Sequence, residues 1–171
     1  REQKIPYLGI CLGMQMAVVE FCRNVLGIKN ANSTELDEKC EPIIYLIEEL
    51  EKDGKKEKRT KDSNLGGTMR LGAYTAKLKK NSLLEKIYNK EEIQERHRHR
   101  YEVNKKYKDE MENKGLIFSG TSPDGEFMEC IELKDHPFFV GVQFHPELKS
   151  RPFAPAPLFV NFIKEAINNK K

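Results

Sequence analysis

The sequence predicts an α/β protein built on one sheet. Three observations predict it. The first apolar run, Ile5–Ile10, reads as a buried strand and passes directly into a segment of helical period. Further short strand candidates and amphipathic helical segments are interspersed down to the C-terminus. The length, 171 residues with 38% hydrophobic and 33% charged, suits one core of ordinary size without disulfide staples.

Each element follows from its residues. After Gly13, Met14, Ala17, Val18, Phe21, Cys22 and Val25 recur at three- and four-residue steps, which predicts a helix that Gly27 stops. A polar connection from Lys29 to Glu41 leads to a strand at Ile43–Ile47. Residues 48–64 are a charge run around Gly54, read as a solvated loop or hairpin. Alternation of Leu71, Ala73, Thr75 and Lys77 predicts a strand. Leu83, Leu84, Ile87 and Tyr88 fit one helical face, and Met111–Lys114 reads as helix ending at Gly115. Leu116–Thr121 and Phe127–Leu133 are strand candidates joined by the turn signal Ser122-Pro123-Asp124-Gly125. Phe138–Phe144 is a further apolar strand. After a loop holding Pro152, Pro155 and Pro157, a closing helix carries Leu158, Phe159, Phe162, Ile163 and Ile167.

Composition excludes several classes. No apolar run approaches the length of a membrane span. The start, Arg1-Glu2-Gln3-Lys4-Ile5-Pro6, lacks a Met and a signal core, and it reads as a piece of a longer polypeptide. Thirty basic against 27 acidic residues is near balance, which argues against a nucleic-acid binder. Lys outnumbers Arg 22 to 8, a solvating rather than a recognising charge. The four cysteines, Cys11, Cys22, Cys40 and Cys130, have neither zinc-site nor disulfide-framework spacing, so free thiols in a reducing cytoplasm are expected.

Three stretches carry chemistry. Gly9-Ile10-Cys11-Leu12-Gly13 has the form of a nucleophile elbow with Cys in place of Ser. Side chains at either glycine are expected to collide with neighbouring elements. The helix N-terminus is expected to favour the thiolate, and the Leu12 N–H to stabilise an oxyanion. The competing reading is a buried structural cysteine, which is the reading given to Cys22. In Gln143-Phe144-His145-Pro146-Glu147, a strand presents His145 at its tip, and Glu147, two residues on in an extended segment, is placed to hold one ring nitrogen. The alternative is an exposed His-Pro turn like His136-Pro137. In Arg96-His97-Arg98-His99-Arg100-Tyr101-Glu102 a strand puts three arginines on one face and both histidines on the other. Metal binding lacks carboxylate or Cys partners there. One Arg holding a small carboxylate while the others are structural is the preferred reading.

These residues resemble class I, triad-type glutamine amidotransferases, through Gly9–Gln15 and Phe144–Glu147. Within them, Asn30–Glu35, Gly66–Gly72, Glu95–Asn104 and Val140–Glu147 resemble the amidotransferase domain of the CTP synthase family. The resemblance implies a class I amidotransferase fold, with a central, mostly parallel sheet flanked by helices. It implies that residues 1–171 are one glutaminase domain, truncated at its N-terminus before a glycine-rich loop that supplies a second oxyanion donor, with the synthase domain absent. It implies Cys11 as nucleophile, His145 as base and Glu147 as its orienter. Leu12, Gly13, Met14, Gln15, Glu35 and Arg100 are implied to bind glutamine, Glu35 suiting its α-ammonium and Arg100 its α-carboxylate. Glutamine is then hydrolysed through a thioester, and the ammonia serves ATP-dependent amination of UTP to CTP. No cofactor or metal is implied for this domain; ATP, Mg and a GTP activator are implied for the full-length enzyme only. The implied partners are L-glutamine, the synthase domain of the same polypeptide and a homotetramer, with no nucleic acid and no membrane. The alternatives are a non-catalytic regulatory or assembly module of the same fold, the amidotransferase domain of another biosynthetic enzyme, and a Cys-dependent peptidase of related fold.

Overall fold

The computed structural model describes residues 1–46, 49–52, 55–58 and 69–170, the two short middle segments by their backbone alone. The opening apolar run forms β1 (Tyr7–Ile10), and the helical period after it forms α1 (Leu12–Asn24). Then come β2 (Ala31–Ser33), β3 (Glu41–Leu46), β4 (Glu49–Lys52) and β5 (Lys55–Lys58). β4 and β5 pair antiparallel, so the charge run contains a hairpin; Gly54 and Gly66–Thr68 lie outside the described residues. β6 (Arg70–Leu78), α2 (Leu83–Tyr88), β7 (Glu92–His99) and β8 (Tyr101–Val103) follow. The chain ends through α3 (Lys108–Asn113), β9 (Leu116–Thr121), β10 (Met128–Leu133), β11 (Phe139–Val142) and α4 (Pro157–Asn168). No helix of the described residues is long and apolar enough to cross a membrane.

The main sheet has six strands in the order β1-β11-β10-β9-β6-β7, and β2-β3-β8 form a second, smaller sheet. Helices flank the main sheet on both faces. α1 and α3 share a core with Ile43, Ile44, Leu116, Phe118 and Ile131 on one side. α2 and α4 pack with Ala76, Cys130, Val140, Val142 and Phe144 on the other. The switch of side from Cys130 to Ile131 and from Phe139 to Val140 is the period-2 alternation of a strand buried on both faces.

The expectation of a mostly parallel sheet does not hold for the described strands. In the main sheet only β1 and β11 pair parallel; β11–β10, β10–β9, β9–β6 and β6–β7 are all antiparallel. Connection length is the reason. Parallel neighbours need a crossover of a dozen or more residues, whereas β9, β10 and β11 follow one another through short turns. The first is the Ser122–Gly125 turn, where the Gly125 N–H donates to the Ser122 carbonyl at 2.8 Å.

The β1–β11 pair positions the candidate site. Its register sets Ile10 beside Val142, so both strands end together, and the Cys11 N–H donates to the Val142 carbonyl at 2.7 Å. The elbow at the end of β1 therefore lies against the Gln143–Glu147 segment that leaves β11.

Candidate active site

Cys11 sits between β1 and α1 at φ 51°, ψ −105°, a conformation that non-glycine residues rarely adopt. Gly9 makes the turn feasible. A Cβ there would lie 2.8 Å from the Gly13 carbonyl carbon and from the Tyr7 ring, whose hydroxyl donates to the Gly13 carbonyl. Gly13 does not match the expectation of a collision: a Cβ there would meet only the Tyr7 oxygen, at 3.7 Å. No other atom lies within 4 Å of that position, so a side chain there has room.

The expected preference for the thiolate is also corrected. Burial pushes the Cys11 thiol up, and this outweighs the Leu12 N–H and the Gln143 amide, which pull it down; the Glu102 and Glu147 carboxylates add to the rise. A half-buried sulfur loses more hydration than one helix N-terminus returns. The other thiols are no better placed. Cys22 is pushed up to about 12 by burial in the core, and Cys130 is fully buried.

His145 follows β11, and its N–H donates to the Arg96 carbonyl on β7 at 2.8 Å. Its Nδ1 lies 2.6 Å from Glu147 Oε1. The two meet in a 3₁₀ turn, Pro146–Leu148, rather than across the extended segment that the spacing suggested. Pro146 occupies the first position of that turn, where a missing N–H costs nothing. The other ring nitrogen, Nε2, is buried and has no hydrogen-bond partner among the described residues.

The residues expected to hold glutamine fall in two places. Leu12, Gly13, Met14 and Gln15 form the first turn of α1. Leu12 is half exposed, whereas the Met14 side chain is fully buried in the core, so its backbone alone can face a ligand. Glu35 is exposed in the turn after β2, and Arg100 is half-buried in the bend between β7 and β8. The small sheet brings those two loops to one end: the Thr34 N–H donates to the Ile44 carbonyl, and Leu46 pairs with Tyr101. Gln15 links this end to the elbow by donating to the Tyr101 carbonyl at 3.0 Å.

Sequence reasoning missed the layer beneath. Arg70 reaches Glu102 at 2.8 Å and Glu129 at 2.7 Å, all three almost fully buried. His97 Nδ1 lies 2.9 Å from His99 Nε2, and His97 Nε2 lies 3.5 Å from Glu129. Burial and the Arg70 charge push His97 down to about 2 and His99 down to about 3, so both rings are neutral. The arginines Arg96 and Arg98 face outward, as the alternation of β7 predicts. The signal for the buried layer was the pairing of an arginine at 70 with histidines on the inward face of a strand, but their carboxylate partners lie 32 and 59 residues from Arg70.

The sequence model of the family described as "Glutamine amidotransferase class-I" matches residues 1–165. The chain is 65% identical over 170 residues to the CTP synthase of Pelagibacter ubique and 57% identical over 171 residues to that of Zymomonas mobilis. These matches cover 99% and 100% of this chain and 31% of each relative, so the chain spans about a third of their length. Its fold matches the glutaminase domain of Trypanosoma brucei CTPS, solved with bound acivicin, with a TM-score of 0.86 at 36% identity, over 100% of this chain and 63% of that one.

Proposed function

The chain belongs to the class-I glutamine amidotransferase family, and we propose that it is the glutaminase part of a CTP synthase, hydrolysing L-glutamine to glutamate and ammonia. The observation that carries this reading is a strained Cys11 elbow set by the β1–β11 pair against the segment that leaves β11, in which Glu147 already holds His145. Its wider support is the identity to CTP synthases along the whole chain. That identity also weighs against the amidotransferase of another biosynthetic enzyme.

The geometry supports the following roles. His145 Nε2, unpartnered among the described residues, takes the thiol proton as Cys11 Sγ attacks the side-chain amide carbon. A raised thiol pKa makes this transfer part of the reaction rather than a step completed beforehand. The Leu12 N–H faces the oxygen that gains charge. The imidazolium, held by Glu147, returns its proton to the leaving nitrogen, and ammonia departs from a γ-glutamyl thioester. Water, deprotonated by His145, then cleaves the thioester to glutamate and restores the thiol. Arg100 pairs with the substrate α-carboxylate and Glu35 with its α-ammonium, the two loops meeting at one end of the small sheet. The ammonia passes to a synthase domain of the same polypeptide. There ATP with Mg activates UTP for amination, GTP stimulates the coupled reaction, and the whole enzyme is a cytoplasmic homotetramer.

The test is labelling by a glutamine analogue that carries an electrophilic diazoketone. Intact mass and peptide mapping should show one adduct, on Cys11, suppressed by excess glutamine and absent in Cys11→Ala. Labels spread over all four thiols, or insensitive to glutamine, would overturn the proposal.

A further inference from the structure

We infer that Gln143 is a further catalytic residue: its side-chain amide donates to the Cys11 sulfur and holds the thiolate through attack. This rests on Cys11 being the nucleophile, as proposed above. Gln143 Nε2 lies 3.6 Å from Cys11 Sγ, within hydrogen-bond reach for sulfur.

An amide can face either way, and only one way offers sulfur a donor. The surroundings fix the choice. The Tyr101 carbonyl only accepts, so the Gln15 atom 3.0 Å away must be the nitrogen. That same Gln15 nitrogen lies 3.2 Å from the Gln143 side chain, which must present its oxygen there. The Gln143 nitrogen is left facing Cys11. Gln15 is 2% exposed and Gln143 fully buried, so water offers neither amide an alternative partner. Backbone contacts clamp the segment as well, since the Gln143 N–H donates to the Glu129 carbonyl at 2.9 Å.

The buried layer keeps the order of donors. His99 Nδ1 lies 3.2 Å from the Tyr101 carbonyl, which makes Nδ1 the protonated nitrogen. His99 Nε2 is then the acceptor for His97 Nδ1. His97 Nε2 is left as a lone pair 3.5 Å from Glu129 Oε2, a carboxyl that burial pushes up and the Arg70 charge pulls down. Arg70 lies between the two carboxyls, 2.8 Å from Glu102 and 2.7 Å from Glu129. Around the sulfur, Glu102 from β8 and Glu147 from the turn after β11 oppose ionisation, and His145 is the base in the reading proposed above. The Leu12 N–H and the Gln143 amide are the groups that favour the thiolate.

The measurement is the pH dependence of Cys11 alkylation by iodoacetamide, read by peptide mass spectrometry in this chain and in Gln143→Met. Losing a hydrogen bond to a charged group should raise the midpoint by about one pH unit and slow alkylation at lower pH about tenfold. The glutamine concentration that half-protects Cys11 should stay the same. Gln15→Met, which frees the Gln143 amide to turn, should shift the midpoint in the same direction and carries the test should Gln143→Met not fold. An unchanged midpoint with glutamine protection intact overturns the role of Gln143 and leaves the glutaminase reading standing. If glutamine fails to protect Cys11 in the unsubstituted chain, the nucleophile assignment falls, and the inference with it.

Discussion

The elbow glycines differ at the scale of single atoms, although the motif makes them look alike. A methyl on Gly9 would press into the Gly13 backbone and the Tyr7 ring at 2.8 Å, and Tyr7 is fixed by its bond to Gly13 and its stacking on Phe139. Gly9→Ala should therefore cost about 1–3 kcal/mol in stability, as overpacking does. It should also displace Cys11. Gly13→Ala, with nothing nearer than 3.7 Å, should be neutral or slightly stabilising, because Ala is the better helix former. Urea denaturation of both variants checks this, and equal losses would refute it. The Cys11 elbow and the His145–Glu147 contact were legible because each lies in a short local motif. Gln143 stands in the same motif, yet its role was hidden. Its orientation depends on Gln15 and Tyr101, which chain distance separates from it by 128 and 42 residues.

At the scale of elements, Arg70 joins three strands from beneath the site: its own β6, β8 through Glu102 and β10 through Glu129. Its guanidinium also lies over the rings of Tyr74 and Phe127, 4.7 and 4.9 Å from their centroids. Arg70→Met leaves the buried Glu102 and Glu129 carboxyls without their arginine. The expected loss is about 3–5 kcal/mol, the cost of breaking a buried pair from one side. Calorimetry or urea unfolding measures it, and a loss below about 1 kcal/mol, the value of an exposed pair, would show the layer to be solvated. The elements themselves were legible, since helical period marked α1 and α4, alternation marked β6 and β7, and Ser122–Gly125 marked the turn between β9 and β10. Their pairing was not. That β11 lies parallel to β1 and antiparallel to β10 depends on connection length and on packing across the sheet, and the mostly parallel expectation came from family resemblance rather than from the residues. The blocks Gly66–Gly72 and Glu95–Asn104 were read as separate signatures. In the fold they meet, with Arg70 paired to His99 along the strand edge and to Glu102 through its side chain.

For the whole molecule, the buried histidines predict how stability responds to acid. Their folded pKa values, about 2 for His97 and about 3 for His99, lie well below the ordinary 6.5. The unfolded chain binds protons at these rings as pH falls through 6.5, and the folded chain does not. Stability is therefore full above 6.5 and is lost progressively as pH falls towards 3. Glu95, Glu129 and Glu132 act with the opposite sign. Burial raises their folded pKa values, so they favour the folded state on the acid side and lose that contribution as pH rises through those values. The total acid response is thus a partial cancellation, and a single histidine is best isolated by difference. His99→Gln should be less stable than the unsubstituted chain at pH 7. Between pH 6.5 and 5 the gap should narrow by about 1.6 kcal/mol, since each pH unit is worth up to about 1.36 kcal/mol to a group that protonates only when unfolded and the unfolded ring is half protonated at 6.5. Urea midpoints measured across that range decide it. A gap that stays constant with pH would mean His99 takes up its proton in the folded state. The ring could then no longer accept from His97, and the donor order that runs from His97 through His99 to the Tyr101 carbonyl, which Gln15 also serves, would have to be reversed at its buried end.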